Sequence, residues 1–167
     1  LNIPGDHNIL NALAAIAAAE TTGISPKEAA KGLKNYTGVD RRFQYKGEFN
    51  GAMVIDDYAH HPSEVKATLA AAQKVKHNRI LCLFQPHTYS RAKTLLSDFG
   101  KAFYNADLVI LADIYAAREK DTGLISSKDV ADEINKNSKN AVYAGSFSNV
   151  SDMVKKEAKA GDIIITM

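Results

Sequence analysis

Met53-Val54-Ile55-Asp56-Asp57-Tyr58-Ala59-His60-His61-Pro62 runs from an apolar strand into two carboxylates, a phenol and two imidazoles, and then into a proline. Pro62 suits the first position of a helix, and Glu64 suits its positively polarised first turn. A strand that enters a helix through a short polar turn places that turn at the carboxyl edge of a sheet, where open α/β folds bind their ligands.

Downstream the pattern repeats: helix about 62–76, strand 80–84, helix about 91–104, strand 108–112, helix about 127–137, strand 141–143, helix about 148–158, strand 163–166. Alternating strands and helices predict a mostly parallel sheet covered on both faces, and the uninterrupted apolar runs Ile80–Phe84 and Leu108–Ala112 fit strands buried on both sides. Upstream, Phe43, Tyr45 and Phe49 alternate with Gln44, Lys46 and Glu48, and Asn50-Gly51 supplies a type I′ turn into strand 52–55. The sheet therefore gains an antiparallel hairpin strand. Before it, Ile9, Leu10, Leu13 and Ile16 space a helix over Asn8–Glu20 with Gly5-Asp6 as its start, and Ser25-Pro26-Lys27-Glu28 opens a second helix that ends near Lys34. Asn35–Gly38 marks the boundary where helical periodicity gives way to alternation.

The chain has 167 residues, is 46% hydrophobic and carries 21 basic against 19 acidic groups, a net charge of +2 without long runs. This supports one cored domain plus an appendage and gives no electrostatic case for a nucleic-acid or membrane-surface partner. No apolar stretch approaches the ~20 residues that cross a bilayer. The single cysteine, Cys82, excludes an internal disulfide and reads as a buried thiol in a reducing, cytoplasmic setting. Leu1 at the start and the strand 163–166 at the end give the expectation of a fragment of a longer polypeptide.

Every loop that follows a parallel strand emerges on one rim, so Asp56–His61, Gln85–Arg91 and Asp113–Gly123 are expected to gather there. Asp56-Asp57 can orient a ribose or a metal, or one can cap the turn while the other is solvated. His60 and His61 can assist proton transfer, or simply open the helix; as adjacent residues they point apart, which argues against a shared metal. Arg41-Arg42 can clamp phosphate or lie in solvent. His87, Tyr89 and Arg91 stand in a proline-stiffened loop. Arg118-Glu119-Lys120-Asp121 reads first as a solvated loop tip and second as a flap over the rim. Asn8 and Asn11 share a helix face suited to an adenine edge, although Asn8 can equally cap the helix. There is no G-x-G-x-x-G, and Leu95 stands where a P-loop ending at Gly100-Lys101 needs its first glycine.

Four segments in order, Pro4–Ala12, Gly38–Phe43, Asp56–Pro62 and Phe84–Arg91, resemble the Mur ligases, and the likeness covers nearly the whole chain. Within that family the combination is similar to the member that joins L-alanine to UDP-N-acetylmuramate in peptidoglycan synthesis. The resemblance implies an ATP-dependent amide-forming ligase, with residues 1–37 the last helices of a central ATPase domain and 38–167 a Rossmann-like C-terminal domain slightly truncated at its end. It implies that the N-terminal UDP-binding domain and the central P-loop, which holds Mg2+, lie elsewhere, and that this stretch alone is inactive and binds neither ATP nor Mg2+ tightly. His7, Asn8 and Asn11 would meet adenine, Arg42 the phosphates and Asp57 the ribose. His60, His87 and Arg91 would line the L-alanine pocket, with Arg91 on the carboxylate and Tyr58 limiting the side chain. Two alternatives compete: the related ligase that recycles a whole peptide, and a receiver-like signalling module with Asp113 as phospho-acceptor. Exposed Leu10, Leu13 and Ile16 would also allow a homodimer.

Overall fold

The computed structural model describes residues 1–167. Two helices come first, α1 Asp6–Thr21 and α2 Pro26–Lys34, followed by the hairpin β1 Gln44–Phe49 and β2 Ala52–Asp56. Then come α3 Pro62–Ala72, β3 Ile80–Phe84, α4 Tyr89–Thr94, α5 Leu96–Gly100 and β4 Leu108–Ala112. The chain closes with α6 Ser127–Asn137, β5 Ala141–Gly145, α7 Phe147–Glu157 and β6 Ile163–Thr166.

The six strands form one sheet in the order β1-β2-β6-β3-β4-β5. Only β1 runs antiparallel to its neighbour, with a register shift between Tyr45 and Gly47; all other pairings are parallel. Asn50 (φ 51°) and Gly51 (φ 74°) both take the left-handed backbone that a two-residue I′ hairpin requires, as their sequence predicts. The last strand is inserted in the middle: β6 pairs with β2 through Val54↔Ile164 and with β3 through Leu81↔Ile164.

Side chains alternate between two cores, which is why the central strands are apolar throughout. One face carries Ile80, Cys82 and Phe84 against Leu69 of α3, Phe99 of α5, Phe103 and Ile134 of α6. Phe84 packs against Phe99 in a tilted and Phe103 in an edge-to-face arrangement, with ring centroids 5.5 and 5.1 Å apart. The other face packs Leu81, Ile110 and Ile164 under Val150 and Val154 of α7. At the rim away from the polar loops, Arg79 closes on Asp162 at 2.6 Å and donates to the Glu157 carbonyl at 2.7 Å, binding the start of β3 to the turn before β6.

Three expectations need adjustment, the first being that the helix expected over about 62–76 ends at Ala72. The helix expected over about 91–104 is two shorter ones meeting at Leu95, with no proline or glycine at the break. Leu95, at φ −104° and ψ 17°, leaves helical geometry but still donates to the Arg91 carbonyl and accepts from Phe99, both at 2.9 Å, so hydrogen bonding runs nearly continuously across the break. On α1, Leu10 and Leu13 are more than half exposed as expected, and so is Ile9, but Ile16 is half-buried. No helix is long and apolar enough to cross a membrane.

Candidate functional site

The loops after β2, β3 and β4 do meet on one rim, and two cavities lie there. Consecutive residues serve opposite cavities: Arg42 and Asp57 line the first, Arg41 and Tyr58 the second.

The first cavity, about 510 Å³, lies between α1, the Gly38–Phe43 turn and the start of α3. All five residues read as nucleotide contacts (His7, Asn8, Asn11, Arg42 and Asp57) line it. Gly5 is the N-cap of α1, so Asn8 does not cap the helix; its side-chain amide reaches back to the Pro4 carbonyl at 2.7 Å. Asp57 is 5% exposed. Its two carboxylate oxygens accept the backbone N–H groups of Phe43 and Ala59, each at 2.8 Å, and its own N–H donates to the Thr166 carbonyl at 2.9 Å. The carboxylate thus joins the segment entering β1 to the loop after β2, and the backbone N–H of the same residue ties that loop to the end of β6. Asp56 turns the other way, accepting the Thr166 hydroxyl at 2.7 Å and facing Arg41 at 3.5 Å. Of the two readings of this pair, capping the turn fits Asp57, and Asp56 is paired rather than solvated. No group of three or more His, Cys, Asp or Glu side chains converges as a metal site.

The second cavity, about 330 Å³, is walled by Tyr58, His60, His87 and Tyr115 with Arg41, Gln85 and Met167 around them. Its rings form a continuous file. The Arg41 guanidinium lies 4.5 Å over Tyr58, and centroid separations are 5.2 Å for Tyr58–His60, 5.8 Å for His60–His87 and 5.5 Å for His87–Tyr115. The hydrogen bonds give the two imidazoles different faces. His60 Nδ1 meets the Tyr58 carbonyl at 2.8 Å, so in the neutral ring Nδ1 carries the proton and Nε2 is a free acceptor. His87 Nδ1 takes an N–H from Arg91 Nη1 at 3.2 Å, so its Nε2 carries the proton and is a donor. Burial, then the positive charges of Arg91 and His60, push the His87 imidazole below its usual range, with Glu119 opposing them weakly. His87 is therefore neutral at pH 7.

Arg91 does not line either cavity; it stands behind His87. His61 diverges from His60, as adjacent residues should, and serves as the N-cap of α3 in a capping box with Glu64. Tyr115 was not singled out from the sequence, although its loop was placed on this rim. Within the Arg118–Asp121 run Arg118, Lys120 and Asp121 are exposed, as a solvated tip would have them, while Glu119 turns inward to accept both the Ser90 N–H at 2.8 Å and the Ser90 hydroxyl.

The receiver reading fails on geometry. Asp113 follows β4 and the Asp56-Asp57 pair follows β2, with β6 and β3 between them, so at ordinary strand spacing they stand about 14 Å apart. Asp113 is instead engaged by the Tyr143 hydroxyl at 2.5 Å.

Residues 41–167 match the family described as Mur ligase, glutamate ligase domain. Curated relatives named UDP-N-acetylmuramate–L-alanine ligase from Clostridium tetani and Clostridium acetobutylicum are 50% and 53% identical over all 167 residues. The chain spans 37% and 36% of their lengths. Among solved structures, the UDP-N-acetylmuramate–alanine ligase of Thermotoga maritima superposes with a TM-score of 0.78 at 29% identity, over 98% of this chain and 34% of that one. A murein peptide ligase from Psychrobacter arcticus gives 0.71 at 30% identity over the same shares. Half the residues shared along the full 167, and a fold held in common with solved ligases, leave one conclusion: the chain belongs to the Mur ligase family.

Proposed function

We propose that this chain is the amino-acid-receiving part of a cytoplasmic, ATP-dependent ligase that joins L-alanine to UDP-N-acetylmuramate. In this reading residues 1–37 close the central ATPase domain, residues 38–167 form most of the C-terminal domain, and the remaining domains of the parent cover the Ile9, Leu10 and Leu13 stripe of α1. The observation that carries it is the back-to-back placement of the two cavities, which share the Arg41-Arg42 and Asp57-Tyr58 wall.

ATP would supply the phosphoryl group that activates the muramoyl carboxylate. Asn8, Asn11 and His7 offer amide and imidazole edges to the adenine, Arg42 offers its guanidinium to the phosphates, and Asp57 lines the wall for the ribose. On the far side of that wall the His60 Nε2 lone pair is free to take a proton from the alanine ammonium, leaving the amine able to attack. As the C–N bond forms, the acyl C–O bond breaks and phosphate leaves. His87 Nε2–H, backed by the Arg91 charge, faces the alanine carboxylate, and Tyr58 limits the side chain. The contribution of these residues is orientation and charge placement. This chain offers no cluster of three or more His, Cys, Asp or Glu donors for Mg2+, and in this reading the ion belongs to the parent's P-loop domain.

Phosphate release by the full-length parent, with ATP and UDP-N-acetylmuramate, tests the reading. Release that depends on L-alanine and not on a murein peptide is expected; the reverse preference would move the assignment to the peptide-recycling ligase. The isolated 167 residues should not turn over, and a rate of about one per second or more from them would refute the fragment reading.

A further inference from the structure

The loop between β4 and α6 reaches across to the β3–α4 turn and holds it at two points. Tyr115 N–H donates to the Pro86 carbonyl and Thr88 N–H donates to the Tyr115 carbonyl, both at 2.9 Å, making a one-residue parallel bridge between His87 and Tyr115. Four residues further on, the two carboxylate oxygens of Glu119 take the N–H and the hydroxyl of Ser90.

What is held in this way is strained. Thr88 sits at φ 65°, a backbone region that β-branched residues rarely occupy and that persists only where the surroundings enforce it. The Thr88 turn has a consequence for the pocket. It brings Arg91 over His87, four residues earlier, so that Nη1 donates to Nδ1 at 3.2 Å and leaves the His87 Nε2–H for the cavity. Within the turn, Thr88 Oγ1 accepts the Arg91 N–H only at 3.4 Å and meets Ser90 Oγ only at 3.5 Å, long contacts beside the Glu119 bonds. The external carboxylate is thus the firmer hold on residue 90.

We propose that Glu119, which touches neither cavity, is a positioning residue for the amino-acid pocket, acting through Ser90 to keep His87 and Arg91 in their working arrangement. The inference rests on the alanine reading of that pocket. Its carboxyl is held below the usual range by the Ser90 side-chain and backbone hydrogen bonds, so Glu119 stays a charged acceptor at neutral pH.

The test is steady-state phosphate release by the full-length parent, comparing wild type, Glu119→Ala, Glu119→Gln and Lys120→Ala. Glu119→Ala should raise KM for L-alanine about tenfold and leave KM for ATP and UDP-N-acetylmuramate within about twofold of wild type. Glu119→Gln, which keeps one acceptor, should fall between, and exposed Lys120→Ala should match wild type. If Glu119→Ala does not fold, Glu119→Gln decides, with KM for L-alanine raised at least about threefold. An unchanged KM for L-alanine in a wild type that does use L-alanine overturns this inference alone. So does an equal rise in all three KM values, which would mark general loosening. A wild type that releases no L-alanine-dependent phosphate overturns the alanine reading together with it.

Discussion

Replacing Asp57 by asparagine keeps the shape of the side chain and changes only what its two outer atoms can do. In the native protein both oxygens accept backbone N–H groups, from Phe43 and Ala59, in a residue that is 5% exposed. The amide retains one acceptor, now uncharged, and turns an NH2 toward the other N–H, so a donor faces a donor. Downgrading one charge-assisted bond and breaking the second costs about 2–4 kcal/mol. For a chain of this size that lowers the melting temperature by about 6–12 °C. The contrast is Asp56→Asn, which loses only the charge facing an exposed Arg41 at 3.5 Å and can still accept the Thr166 hydroxyl, so it should cost about 1 kcal/mol or less. Thermal unfolding of the 167-residue chain followed by circular dichroism measures both. A melting temperature for Asp57→Asn within about 2 °C of wild type, or equal to that of Asp56→Asn, would refute the claim that this carboxylate ties the segment entering β1 to the loop after β2.

Removing the guanidinium with Arg91→Ala should raise the His87 pKa toward its ordinary value, because Arg91 is the largest charge contribution holding it down after burial; a histidine titration by NMR reads this directly. Burial pushes the Asp162 carboxyl up, but hydrogen bonds from Arg79 and the Lys159 N–H, with the Arg79 charge, outweigh it and hold the group below its usual range. A depressed carboxyl stabilises the fold above its unfolded pKa, about 3.9, and loses that contribution as pH falls through the folded value. Melting temperatures between about pH 5 and pH 3 should therefore fall more steeply for wild type than for Asp162→Asn. Cys82 is fully buried and its thiol is pushed well up by that burial; alkylating reagents should leave it unmodified in native protein and label it once the chain unfolds.

The strands were legible because their composition answers to burial on both faces. Ile80–Phe84, Leu108–Ala112 and 163–166 have no polar residue to interrupt them apart from the final threonine, and their limits fall where the sequence puts them. The hairpin followed from Asn50-Gly51, where the backbone demand is local. The rim was legible too, since chain direction alone gathers the loops after parallel strands on one edge. Partners across the rim were not. Nothing within a few residues of Glu119 signals that it will meet Ser90, 29 positions earlier, and the break at Leu95 has no helix breaker to announce it. Asp57 shows the same limit: its position at a strand end was evident, but which two N–H groups it would take was not. Strand order is likewise invisible to periodicity, as four apolar strands of similar length carry no mark of which lies at the centre.

That centre is β6, and its place has a consequence for biosynthesis. On the ribosome β1 to β5 are made first, yet β2 and β3 cannot meet until residues 163–166 have left the exit tunnel and slotted between them. Until then the nascent chain carries two half-sheets, each with an open hydrogen-bonding edge, Val54 on one side and Leu81 on the other. Translation that stalls a few codons before Ile163 would release a product with five of these six strands and no closed sheet.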